Sequence, residues 1–128
     1  MNSTCLIFFP EGSSSLQQAE QELTKYDFDV RSSGGSLFAK RLGSQEFKIT
    51  LVQLPHVLLE AKEIGQGSEH EQFLSKCGSR FELFISDLDA ALDEINSLME
   101  AQVALQDASS GYLFTPWNGQ IMKPWNAS

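Results

Sequence analysis

Leu88, Ala91, Leu92, Ile95, Leu98, Met99 and Leu105 recur at three- and four-residue steps in the stretch from Ser86 to Gly119, and no other feature of the chain restricts its fold as strongly. The spacing predicts an amphipathic α-helix about six turns long, with an apolar stripe that a sheet or a second helix must cover. Leu92, Ile95 and Met99 lie at the centre of that stripe and are expected in the core. Ser86 is placed to cap the first turn, Asp87 and Asp89 lie in the positive field of the helix start, and Gly111 can supply a left-handed stop.

The opposite side of this helix carries charge. With Leu88 as zero, Asp89, Asp93, Glu100 and Asp107 fall between about 100° and 140° around the axis, which makes a narrow acidic stripe. Between Arg80 and Lys123 there is no Lys or Arg, while Glu82, Asp87, Asp89, Asp93, Glu94, Glu100 and Asp107 are all acidic. Nothing close in sequence neutralises them. Like charges four apart cost a few tenths of a kcal/mol, and Glu100 and Asp107 oppose the helix dipole. Such a stripe is either a solvated face that keeps the protein soluble or a face that meets a basic partner.

The remaining elements are shorter. Thr4 to Phe9 is an apolar run closed by Pro10, Glu11 and Gly12, and reads as a central strand. Ser15 and Gln18 form a capping box for a helix to Tyr26, with Leu16, Ala19, Leu23 and Tyr26 facing inward. Phe28 to Arg31, Leu37 to Leu42 and Phe47 to Leu54 read as strands joined by short turn-rich linkers, consistent with antiparallel hairpins. Pro55 ends the third of these. A short helix follows over Val57 to Ile64, and Ser68 with Glu71 predicts a second capped helix reaching Cys77. Arg80 to Ser86 alternates apolar and polar residues and leads as a strand into the long helix, after which Tyr112 to Thr115 and Gln120 to Lys123 form a strand or hairpin about the turn at Pro116 to Gly119. The order implies one α+β domain over residues 1–128: a mostly antiparallel sheet with helices on one side and a long C-terminal amphipathic helix followed by a strand pair.

Composition bounds the function. The 128 residues are 41% hydrophobic and 20% charged, enough for a core without disulfides or metal, and the formal charge of −8 disfavours nucleic acid because phosphate is repelled. No apolar run approaches the roughly twenty residues that span a bilayer, and the start, MNSTCLIFFPEG, has no positive region before its short apolar run. A cytoplasmic protein is expected. Cys5 and Cys77 then stay as thiols, and the Asn126-Ala127-Ser128 sequon is incidental.

No catalytic constellation is visible. His56 and His70 lack neighbours at metal-ligand spacing, and His70 and Cys77 lie about 10 Å apart along a helix, too far for a nucleophile and its base. Cys77-Gly78-Ser79-Arg80 lacks the five-residue gap to arginine of a phosphate-binding cysteine loop, and the paired glycines lack the strand, lysine and helix context of phosphate loops. No cofactor or metal is expected. Trp117 sits in a turn and Trp125 near the chain end; each either folds back over the sheet edge or anchors a partner.

The segment RFELFISDLDAALDEINSLMEAQVALQDASSGYLFTPWNG is similar to the strand, long helix, glycine, strand and turn near the C-terminus of many small bacterial proteins, some of them immunity proteins of polymorphic toxin systems. The resemblance covers about a third of the chain. It implies a bacterial cytosolic binder that neutralises a toxin, as in toxin-antitoxin pairs, or occupies a partner's basic site. The acidic stripe agrees with a basic toxin domain as partner, with Asp89, Asp93, Glu100, Asp107, Trp117 and Trp125 as partner-binding residues. A different class is a small enzyme or ligand-binding domain with a pocket between helices and sheet, near Trp117, Tyr112 and His56.

Overall fold

The computed structural model describes residues 1–124. Seven strands, β1 (Ser3–Phe9), β2 (Asp29–Ser33), β3 (Ser36–Lys40), β4 (Phe47–Val52), β5 (Ser79–Ile85), β6 (Tyr112–Thr115) and β7 (Gln120–Met122), form one sheet in the order β2-β3-β4-β5-β1-β6-β7. Every neighbouring pair is antiparallel. The first apolar run is therefore near the middle of the sheet, as its composition requires: Cys5, Ile7, Phe8 and Phe9 are fully buried. The β2–β3 hairpin turns on Gly34 and Gly35, with φ of 58° and 81°, the paired left-handed geometry that matches strand twist in a two-residue loop.

The strand period sorts side chains onto two faces. Cys5, Ile7, Phe9, Ile49, Phe81, Leu83 and Leu113 point to the main core, covered by α1 (Leu16–Lys25), α4 (Leu88–Asp93) and α5 (Ile95–Ser109). This is the α+β architecture that the pattern implies. The other face carries the short helices α2 (Pro55–Gly65) and α3 (Glu71–Leu74), whose Val57, Ala61 and Leu74 close a smaller cluster around Phe8 and Cys77. Helices thus reach both faces, with the larger layer on one. Pro55 takes the first helical position of α2 rather than only ending a strand, because its fixed φ suits a first turn that needs no N–H donor.

Ser15 caps α1, accepting from Gln18 N at 3.2 Å, as its spacing predicts. Two other caps differ from expectation. The start of α4 is capped by Asp87, which accepts from Ala90 N, and not by Ser86. Ser68 does not cap α3; its hydroxyl donates to Gly65 O at 2.8 Å and accepts from His70 N at 3.1 Å, closing the turn after α2. The expected capped helix to Cys77 is consequently only Glu71–Leu74.

The long helix is broken. Glu94, with φ −111° and ψ 62°, separates α4 from α5. On one continuous helix Leu98 would lie about 80° around the axis from Leu88, within the breadth of a core-facing stripe, so burial of both does not depend on the break. Leu88, Ala91, Leu98, Ala101, Ala104 and Leu105 are all buried.

Gly111 does not supply the left-handed stop. Ser110 does, at φ 55° and ψ 29°, while a Cβ on Gly111 would fall 2.7 Å from both Ile7 Cγ2 and the Phe8 carbonyl oxygen. Glycine is required there by close approach of β6 to β1.

Candidate functional site

One side of the expected apolar stripe faces outward on both α4 and α5. Leu92 is 41% exposed, Ile95 39% and Met99 49%, so these three residues are not the core centre that periodicity implies. Met122 of β7, also exposed, and half-buried Val103 extend the apolar character along α5 to the β6–β7 edge. Contiguous exposed apolar patches of several hundred Å² mark surfaces that meet another molecule, whereas singly exposed apolar side chains are ordinary.

Between α5 and the β6–β7 edge lies a groove of about 530 Å³, walled by Met99, Val103, Leu113, Ile121 and Met122, with Glu69, His70 and Lys123 among its lining residues. Two glutamines one turn apart, Gln102 and Gln106, also line it and are almost completely buried. Gln106 is occupied by its own chain: its amide nitrogen donates to Gly111 O at 3.2 Å and Met122 O at 3.0 Å, which ties β7 to the end of α5. Gln102 donates only to Cys5 Sγ, at 3.7 Å, among the described residues.

The acidic residues divide into two groups. Asp89, Asp93 and Glu94 are exposed on α4 and at the break, flanking Leu92 and Ile95 in sequence. Glu100 and Asp107 instead turn toward α1 and the end of β3. Arg41 Nη1 lies 2.5 Å from Glu100 Oε1, and the Tyr26 hydroxyl donates to Asp107 Oδ2 at 3.0 Å. The expected stripe of four free carboxylates is therefore a pair of exposed aspartates and a pair of partnered acids. Its neutralising cation comes from residue 41, far away in sequence. Tyr26 has its pKa raised above the ordinary phenol value, first by burial and then by its bond to Asp107.

Trp117 is half-buried and packs against the main core. Trp125 lies outside the described residues. Tyr112 belongs to the opposite face, stacked on Phe73 at 4.0 Å and edge-on to His70 at 5.3 Å, so it does not share a pocket with Trp117. His56 sits in the first turn of α2, 3.8 Å from Glu60. The three residues suggested for a ligand pocket are not gathered into one.

Both cysteines are buried free thiols, and burial pushes each pKa up to about 12, so neither is a poised nucleophile. Among the described residues no group of three or more His, Cys, Asp or Glu is placed to hold a metal ion. Among them, too, no helix is long and apolar enough to cross a membrane.

Sequence reasoning missed Arg41 and the glutamine pair. Arg41 carries no local signal, because its partners lie on α1 and α5. Gln102 and Gln106 did carry one: polar residues four apart on a helix side that also holds Leu98 and Leu105. Comparisons of the chain with protein-family models, curated proteins and solved structures found no match.

Proposed function

We propose that this chain is a non-enzymatic acidic protein-binding module whose partner sits on the outer face of α4 and α5, and that the partner is a basic protein domain, a toxin neutralised by the contact being the leading class. The observation that carries the reading is the exposed apolar run Leu92, Ile95 and Met99, continued by Met122 and accompanied by Asp89, Asp93 and Glu94. Apolar residues at the centre of an interface supply most of the affinity, while charges at its rim steer encounter and select the partner. A formal charge of −8 on a small domain favours a cationic partner in the same way.

The test uses the full chain to capture proteins from a lysate of its own organism, followed by calorimetric titration of each purified candidate over a salt series. Ile95→Glu should weaken the genuine partner by about a hundredfold, within the range of a central anchor. Asp89→Asn with Asp93→Asn should weaken it less and flatten its salt dependence. A toxin partner should also lose its activity at one-to-one stoichiometry. Affinity that ignores both variants, for every candidate, would refute the reading.

A further inference from the structure

β2 is one edge of the sheet, and among the described residues no strand pairs with its outer side. Four of its five residues are exposed, and Val30 is half-buried against the main core. The hairpin determines which backbone groups face that edge. Ser33 and Ser36 flank the two-residue loop and so form a hydrogen-bonded pair, and along an antiparallel ladder such pairs alternate with non-bonded ones. Asp29 and Arg31 therefore turn their N–H and C=O groups toward β3, while Val30 and Ser32 turn theirs outward. An edge of this kind receives another strand unless charge, proline or a bulge blunts it.

We infer that β2 pairs antiparallel with β2 of a second copy of this chain, about a two-fold axis through Val30, so that the two sheets become one. A two-fold interface must be complementary to itself, and the run Asp29-Val30-Arg31 is. In this register Asp29 stands opposite Arg31 of the second copy and Arg31 opposite its Asp29, which gives two cross-strand ion pairs on one face. Val30 meets its own counterpart on the other face, beside the two main cores, and exchanges both backbone hydrogen bonds across the axis. The adjacent registers set like charges opposite each other: centred on Asp29 the two aspartates meet, and centred on Arg31 the two arginines. The charges of β2 thus blunt the edge against other alignments and favour this one. Arg31 is loosely held in the monomer, with its side chain 60% exposed, Glu46 at 3.5 Å and the Phe38 ring centre at 4.4 Å. None of these residues belongs to the α4–α5 face, so the inference stands apart from the reading above.

Two strands of this length bury less than the roughly 1,200 Å² of a stable interface, so the full chain should show a monomer–dimer equilibrium by sedimentation, with a Kd on the order of 100 μM. Asp29→Arg and Arg31→Asp should each weaken self-association at least about tenfold, because each sets like charges opposite at both pairs. Mixing the two variants one to one should restore the dimer to about the wild-type level, since each then meets its opposite charge. Hydrogen exchange supplies a readout that needs no variant: the Val30 and Ser32 amides should exchange freely in dilute wild-type protein and become protected as concentration rises. A wild type that stays monomeric at millimolar concentration overturns the proposal, as does a dimer in which the Val30 amide gains no protection. Self-association that both single variants retain places the interface elsewhere and overturns it too. A mixture no better than either variant alone overturns the register.

Discussion

Arg41 reaches Glu100 across the gap between the end of β3 and α5, with Nη1 2.5 Å from Oε1. The same guanidinium donates through Nε to Ser97 Oγ at 3.0 Å and through Nη1 to the Tyr26 carbonyl at 2.9 Å, and it lies 4.7 Å from the centre of the Phe28 ring. One side chain therefore joins β3, the C-terminal end of α1 and α5; with the break at Glu94, Glu100 lies in the first half of α5 and does not oppose the helix dipole as a single long helix would make it do.

Removing this node should cost more than an exposed ion pair would. Arg41→Ala strands the buried Ser97 hydroxyl and the Tyr26 carbonyl, for an expected loss of about 2 kcal/mol. Arg41→Lys should recover only part of it, since an ammonium cannot reproduce the planar fork. Glu100→Gln should cost about 0–1 kcal/mol, because Glu100 is partly hydrated. Urea titration of the three variants measures the order; an Arg41→Ala loss no larger than that of Glu100→Gln would dismiss the node.

Facing on α5 is tested by two truncations. Leu98 is 1% exposed and Ile95 39%. Leu98→Ala should cost about 2–5 kcal/mol through lost transfer energy and a cavity, and Ile95→Ala less than about 1 kcal/mol. Comparable losses by denaturant titration would contradict this facing of α5.

The turn after α5 makes a paired prediction. Ser110 occupies the left-handed region at φ 55°, where glycine is at ease, so Ser110→Gly should be neutral or stabilise by up to about 1 kcal/mol. Gly111→Ala should destabilise by about 1–3 kcal/mol or more, since its Cβ would meet the Phe8 carbonyl and Ile7 at 2.7 Å. Thermal melts of both variants give the signs directly, and a harmless Gly111→Ala would contradict the close approach of β6 to β1.

Stability should fall in alkali through Cys5. Its folded pKa, about 12, is above the ordinary value of 9.0 because the thiol is buried, with a smaller opposing effect from its bond to Gln102. Folding therefore opposes ionisation: the contribution is complete below about pH 9 and is lost as pH rises toward 12, by about 1.4 kcal/mol per pH unit inside that window. Under reducing conditions, denaturation series at pH 8, 9 and 10 should show a steeper decline for the wild type than for Cys5→Ala. Parallel declines would assign the alkaline loss to other groups.

Local rules made much of this protein legible before its fold was known. The strand runs, the glycine pair of the β2–β3 hairpin and the Ser15 cap depend on neighbours a few residues away, and each occurs where its chemistry places it. The amphipathic period of residues 88–105 marked helix correctly because hydrophobic spacing is itself a local property. What it could not decide was which part of a broad apolar stripe faces the sheet. The packing settled it: the side with Ala91 and Leu98 faces the core, and Leu92, Ile95 and Met99 lie on its outer margin on both segments. The acidic stripe met the same limit: Arg41 and Tyr26 lie far from Glu100 and Asp107 in sequence, and only the packing of α1 and β3 beside α5 brings them within bonding distance. Gly111 was legible as special but for a different reason, since the strand that crowds it begins at residue 3. Backbone geometry and hydrogen-bond capacity belong to the residue and its near neighbours, whereas exposure and charge pairing belong to whatever the fold sets beside it.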